Sequence, residues 1–258
     1  MKNKVESFFE KIYSGNFEYN CNLYWKNTEI AYPYYPTVRH RKRYILDALK
    51  SINFTDETFV FDYGCGQGNI LREIKDKFRV KELNLGGCDL SEVAIEYARK
   101  KVNSPYLYPE VFPQLPVKCD VIVCSEVIEH TEDYLEILHW IKNNLNYGGL
   151  LILSTQTGKI HASDKYTGHT QHFEIDQLVH TLKRLGFRIK SAFRWGFPFF
   201  TLQKYLTNFD FEKIRQNYLE GELSLKKRIV FNIAYWVYFL HDLINMGPQI
   251  YIKAIREK

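Results

Sequence analysis

The chain has 258 residues, enough for one sizeable core and an elaboration upon it. Its 45% apolar content is ordinary for a globular protein, and its net charge of +5 gives no argument for DNA as a partner. Five cysteines, an odd number without metal-ligand spacing, fit a reducing compartment, so a cytoplasmic location is expected. Met1 to Tyr13 carries charges throughout and lacks the apolar run of a signal segment.

Residues 1–54 precede the first expected strand. They hold Tyr19, Tyr24, Trp25, Tyr32, Tyr34 and Tyr35, then the basic run Arg39, His40, Arg41, Lys42 and Arg43. Ile45, Leu46 and Leu49 predict a helix lying on the core. The basic run suits either phosphate binding or a solvated helix face. The tyrosines suit stacking on a sugar or base, or core filling.

Val60 to Gly68 carries the strongest signal. A short apolar run ends in Asp62 and enters a turn with glycines at 64, 66 and 68. Asn69 to Phe78 then places Ile70, Leu71, Ile74 and Phe78 on one helical face. The pattern is strand, glycine turn and helix, and the helix N-terminus favours the negative end of a ligand. Cys65, inside the turn, reads as a small filler or a lining residue. Leu83 to Cys88 predicts a second strand with Asp89 at its end, where an acid can accept hydrogen bonds from ribose hydroxyls. Ser91 predicts the cap of the next helix. The third glycine comes one residue earlier than in a dinucleotide-binding turn, with Asn69 in its place.

Further along, Thr131 with Glu132 and Asp133 predicts a helix start, and Asn146 to Gly149 its end. A helix is expected over Asp176 to Leu185, stopped by Gly186, and a strand over Phe187 to Phe193. Strands alternating with helices argue for a parallel sheet with helices on both faces. Residues 197–247 stand out. Ile229 to Ile244 is nearly continuous apolar sequence behind Lys226, Lys227 and Arg228, interrupted by Asn232, His241 and Asp242. It is too short to cross a membrane. A lid, a homodimer helix or a peripheral membrane contact through 226–245 are the readings open to it.

Asp62, the G-x-G-x-G turn and Asp89 resemble the class I S-adenosylmethionine-dependent methyltransferases. Cys119 to His130 is similar to that family's fourth strand and following loop, Gly148 to Thr155 to its turn into the fifth strand, and Gln249 to Ile255 to its seventh, antiparallel strand. The resemblance implies an α/β, doubly wound, Rossmann-like seven-stranded sheet with the last strand antiparallel. An N-terminal helical cap (1–54), a cofactor-binding core (55–196), a helical insert (197–247) and a final core strand (248–258) complete the expected organisation. It implies S-adenosylmethionine as cofactor. Asp62, Gly64, Cys65, Gly66 and Gly68 would hold its amino-acid end, Asp89 its ribose and Leu90 its adenine, with Ser125 and Glu126 around the same crevice. Val111 and Phe112 are further candidates for the adenine.

Methyl transfer to a hydroxyl needs alignment and a route for the proton. Glu126, Glu129 and His130 resemble the E-x-x-E-H metal site of ubiquinone-pathway and small-RNA 2′-O-methyltransferases. They would bind Mg²⁺ or a similar divalent ion, with His169 or His172 completing the set; packing and loop hydrogen bonds are the other reading of the same residues. Gly168 to Phe173 resembles a G-H-x-R-x-F segment with Gln171 in place of Arg, which makes His169, His172 and His130 the candidate bases. The expected reaction is O-methylation of a small molecule, with a sugar, nucleotide-linked sugar or phosphate-bearing metabolite of surface-glycan assembly as acceptor. A quinone precursor or phenol, RNA, and a non-catalytic cofactor-binding scaffold are the alternatives, RNA being disfavoured by the modest charge and the lack of an RNA-binding motif.

Overall fold

The computed structural model describes residues 20–220 and 222–258; Tyr19 and the charged stretch Met1 to Tyr13 lie outside them. Helix α1 (Cys21–Thr28) starts on Asn20, whose side chain accepts the Leu23 amide at 2.9 Å. Helix α2 (Pro36–Leu49) starts on a proline, where the missing N–H costs nothing. Strand β1 (Val60–Tyr63), α3 (Asn69–Phe78), β2 (Leu85–Cys88), α4 (Glu92–Val102) and β3 (Tyr106–Tyr108) follow. Ser91 caps α4 as its sequence position suggests, its hydroxyl accepting the Ala94 amide at 3.1 Å. Next come β4 (Cys119–Ser125), α5 (Tyr134–Asn144), β5 (Leu145–Gln156), the short α6 (Ala162–Tyr166), α7 (Ile175–Arg184) and β6 (Phe187–Trp195). Helices α8 (Phe199–Phe209), α9 (Phe211–Ile214) and α10 (Leu225–Val237) occupy the stretch before β7 (Gln249–Arg256).

The seven strands lie in the order β3-β2-β1-β4-β5-β7-β6. Strands β1 to β5 pair in parallel, and β7 inserts antiparallel between β5 and β6. This is the doubly wound α/β sheet expected from the sequence, antiparallel last strand included. Alternation along β4 divides the core. Val121 and Val123 pack with Ile45 and Leu49 of α2 and Leu71 and Ile74 of α3; Ile122 and Cys124 pack on the other face with Ile137 and Ile141 of α5 and Leu178 of α7. The direction of winding changes between β1 and β4, so a crevice opens at the C-terminal ends of those strands.

Three local boundaries differ from the sequence reading. Strand β2 begins at Leu85, because Glu82–Asn84 forms a 3₁₀ turn that leaves Leu83 exposed. Strand β5 begins at Leu145, and Asn146 to Gly149 form an irregularity inside it, not a helix end. Between the pairs Cys119–Leu145 and Val121–Leu150 the β5 side carries the extra residues, and Gly148 takes a φ of +79° there. Helix α5 begins only at Tyr134, because Ile128–His130 forms its own 3₁₀ turn; the Thr131 hydroxyl accepts the Asp133 amide at 3.1 Å.

Leu151 is fully buried in central β5 and Leu83 is 65% exposed, which separates two leucines of equal size. Leu151→Ala should cost about 2–5 kcal/mol in chemical denaturation. Leu83→Ala should stay within about 0.5 kcal/mol of the parent.

Candidate functional site

The glycine turn leaves β1 with positive φ at Gly64 (+76°), Gly66 (+51°) and Gly68 (+74°). Side chains are excluded at the first two by space as well. A Cβ on Gly64 would come within 2.2 Å of Val127, and one on Gly66 within 2.5 Å of the Trp25 ring. The turn is thus roofed by α1, which supplies Trp25. Asp89 is held by the amides of Gly66 and Ser91, each at 2.9 Å. Burial, offset by those two hydrogen bonds, pushes its carboxyl up to about 6.

A cavity of ≈ 170 Å³ opens at this crevice. Gly64, Cys65, Gly66, Asp89, Leu90, Val111, Ser125, Glu126 and His130 are among its lining residues. Asp62, Gly68, Phe112, Glu129, His169 and His172 are not among the lining residues. Asp62 lies buried behind the turn, and neither of its carboxylate oxygens has a hydrogen-bond partner among the described residues. Burial, then the neighbouring Asp89 charge, raise its carboxyl to about 8.

The N-terminal segment adds Trp25, Tyr32 and Arg41 to the wall. Arg41 is buried, and its guanidinium lies 3.4 Å from Glu126 Oε2. Glu126 itself sits in the left-handed region, φ +57°, an uncommon conformation for a side-chain-bearing residue and one that marks a held position. Its Oε2 accepts from Gln249 Nε2 at 3.0 Å and from Gln156 Nε2 at 3.3 Å; its Oε1 accepts from Ser154 Oγ at 3.4 Å.

Glu129 is fully buried. Its Oε2 accepts the Thr155 hydroxyl at 2.9 Å and its backbone carbonyl accepts the Thr170 amide at 2.9 Å, which pins the histidine loop to β5. Burial, then repulsion from Glu126, hold its carboxyl well above the usual carboxylate range. His130 and His169 stack edge to face with centroids 4.8 Å apart. His169 Nδ1 lies 3.0 Å from His172 Nε2, and His172 Nδ1 lies 2.9 Å from the Gly158 carbonyl. Burial lowers the pKa of all three imidazoles, so they are neutral near pH 7.

A family model described as "Methyltransferase domain" matches residues 38–192, from α2 through β6. The chain belongs to the class I S-adenosylmethionine-dependent methyltransferases. Over 105 residues the methyltransferase is 32% identical to the mitochondrial ubiquinone biosynthesis O-methyltransferase of Schizosaccharomyces pombe; the match spans 37% of each protein. Phosphoethanolamine N-methyltransferase 2 of Haemonchus contortus, solved with S-adenosyl-L-methionine, superposes with a TM-score of 0.55 at 16% identity over 100% of this chain and 58% of that one. YjhP of E. coli superposes with a TM-score of 0.55 at 15% identity, covering 92% of this chain and 99% of that one. At these identities the structural matches speak for the fold alone.

The residues of the methyltransferase fit its cofactor. Asp62, behind the glycine turn and off the cavity wall, has a buried carboxyl without a hydrogen-bond partner among the described residues, which would suit the positive amino-acid end. Asp89, held by two amides at the cavity wall, would suit ribose hydroxyls, and Leu90 and Val111 on the same wall would suit adenine. Arg41 was not foreseen for this role. Its guanidinium pairs with Glu126 at 3.4 Å and also faces the cavity, where it would suit the cofactor's own carboxylate. A signal was present in the sequence: Arg41 stands four residues before Ile45 and eight before Leu49, on the buried face of α2.

Of the expected metal set, Glu129 and His130 converge with His169, whereas Glu126 lies outside that group. Arg41, Gln156, Gln249 and Ser154 claim Glu126. The groups whose ligand atoms do converge are Glu129, His130 and His169, and Asp164, His169 and His172. Two imidazoles with one carboxyl suit a transition ion, whereas Mg²⁺ prefers oxygen ligands. In the second group Asp164 is already neutralised by buried Lys204, at 3.0 Å.

A positive ligand group beside Asp62 favours its carboxylate, whereas burial, with the Asp89 charge, holds a proton there up to about pH 8. Binding of S-adenosylhomocysteine at pH 7 should therefore release protons, and affinity should climb as pH rises toward 8. Calorimetry in buffers of different ionisation enthalpy reads the release, which Asp62→Asn should largely remove.

Proposed function

We propose that this methyltransferase acts on a hydroxyl oxygen of a small molecule. When bound, S-adenosylmethionine supplies an electrophilic methyl group on a positively charged sulfur. The chain has to align the acceptor and take its proton. The observation that carries the reading is His130, an imidazole kept neutral by burial, on the cavity wall next to Glu126 and Thr131. Behind it the tautomers are set by the main chain. The Gly158 carbonyl can only accept, so His172 donates through Nδ1 and leaves Nε2 to accept from His169 Nδ1. Nε2 of His169 is then its basic nitrogen. His130 is the group positioned to meet an acceptor, and the His169–His172 pair fixes its surroundings.

The charges of this region are balanced by its own side chains, Arg41 against Glu126 and Lys204 against Asp164. The scheme accordingly needs no resident divalent ion. The polar and charged wall formed by Arg41, Ser125, Glu126, His130 and Thr131 suits an acceptor rich in hydroxyls, and a sugar, nucleotide-linked sugar or phosphate-bearing metabolite is the class proposed first. A phenolic quinone precursor is the second reading, favoured by the 32% identity to the S. pombe O-methyltransferase.

Methyl transfer from labelled cofactor to nucleotide sugars, phenols and short RNA tests the proposal. Transfer to a hydroxyl, at a rate unchanged by EDTA, is expected. His130→Ala should lower kcat by about 10²–10⁴-fold while leaving S-adenosylhomocysteine affinity in place. Methylation at nitrogen, or cofactor binding without any acceptor, would contradict the O-transfer reading. Activity lost to EDTA and restored by a transition ion would return the Glu129–His130–His169 group to metal binding.

A further inference from the structure

Helix α10 buries one face and leaves the other bare. Phe231, and Tyr238 just beyond the helix, point into the protein, and Tyr235 lies under Arg39 at 3.8 Å. The opposite face presents Leu225, Ile229, Ile233 and Trp236, continued by Leu240 in the 3₁₀ segment Tyr238–Leu243. Steps of four, four, three and four residues make a single helical stripe. Trp236 is 68% exposed and Leu225 is 73% exposed. Helix α8 of the same insert repeats the pattern with Leu202, Tyr205, Leu206 and Phe209. Isolated surface leucines need no explanation, but continuous stripes of this kind mark contact surfaces.

The flank of the α10 stripe is cationic. Arg39 donates to Asn232 Oδ1 at 2.7 Å, and Arg228 lies over the Tyr34 ring at 5.2 Å. Neither has a carboxylate within ion-pair distance among the described residues. Arg43 lies over Phe239 at 4.6 Å and is paired with Asp242 at 2.5 Å. Beside Tyr235 of α10, a groove of ≈ 400 Å³ is lined by Arg39, Lys42, Arg43 and Lys77 against Asp47 and Glu73, leaving it net positive.

We propose that this face docks on an anionic lipid bilayer, with the stripe among the outer acyl segments and the arginines at the phosphates. Charge decides between the candidate occupants. A two-fold contact with a second copy would set the same arginines against each other, whereas lipid phosphates match them. Among the described residues no helix is long and apolar enough to cross a membrane, so the contact lies in the plane of the surface. The proposal does not depend on which acceptor the enzyme uses.

The test is sedimentation of the full chain with phosphatidylcholine vesicles, with and without phosphatidylglycerol. Binding to the anionic vesicles alone, weakened by salt, is expected. Ile233→Glu with Trp236→Glu should reduce it about tenfold or more while S-adenosylhomocysteine affinity, the check on folding, is unchanged. Should that pair fail to fold, Leu225→Glu in the first turn repeats the test at a more exposed position. Absence of binding, equal binding to neutral vesicles, or binding that the folded variant retains overturns the proposal. A concentration-dependent dimer abolished by the same variant would overturn it as well and assign the face to a second copy.

Discussion

The carboxylate of Glu126 joins the parts of this protein that have to meet for a site to exist. It stands just past the C-terminal end of β4 in a left-handed conformation. It is approached by Arg41 from α2, by Ser154 and Gln156 from β5 and by Gln249 from β7. A half-buried carboxylate held by four side chains depends on those partners being in place. The constraint therefore fixes α2 against the sheet beside the cavity.

The rest of the cavity follows from where burial leaves charge uncompensated. Asp62 and Asp89 sit behind and beside the glycine turn with carboxyls raised by desolvation, and Asp62 has no hydrogen-bond partner among the described residues. That end of the site is prepared for a ligand bearing donors and positive charge. The histidine region is different in kind: three imidazoles kept neutral by burial stand beside the Lys204–Asp164 pair, and burial holds the Glu129 carboxyl up. Lys204 comes from α8, so the insert before the last strand contributes to the ground on which the histidines stand.

Much of this was legible in the chain itself. The turn at 64–68, Asp89 and the Ser91 cap are local signals, and local signals survive into the structure because the backbone geometry that needs them is local too. The seven-stranded order followed from the resemblance. The role of Glu126 was not legible, because its partners lie at positions 41, 156 and 249 and only the sheet brings them together. An E-x-x-E-H string looks the same whether its first acid binds a metal or clamps the fold. The β5 start was missed for a related reason: Gly148 and Gly149 read as a helix stop, yet the sheet absorbs them as an irregularity beside Cys119. Lys204 was hidden among apolar neighbours in the insert and is explained only by its partners Asp164 and Gln156.

A crystal structure of the complex with S-adenosylhomocysteine tests the central claim most directly. The account predicts adenine against Leu90 and Val111, ribose hydroxyls on Asp89, the carboxylate at Arg41 and the sulfur turned toward His130. A ligand found outside this cavity, or bound with its adenine at the histidines, would contradict it.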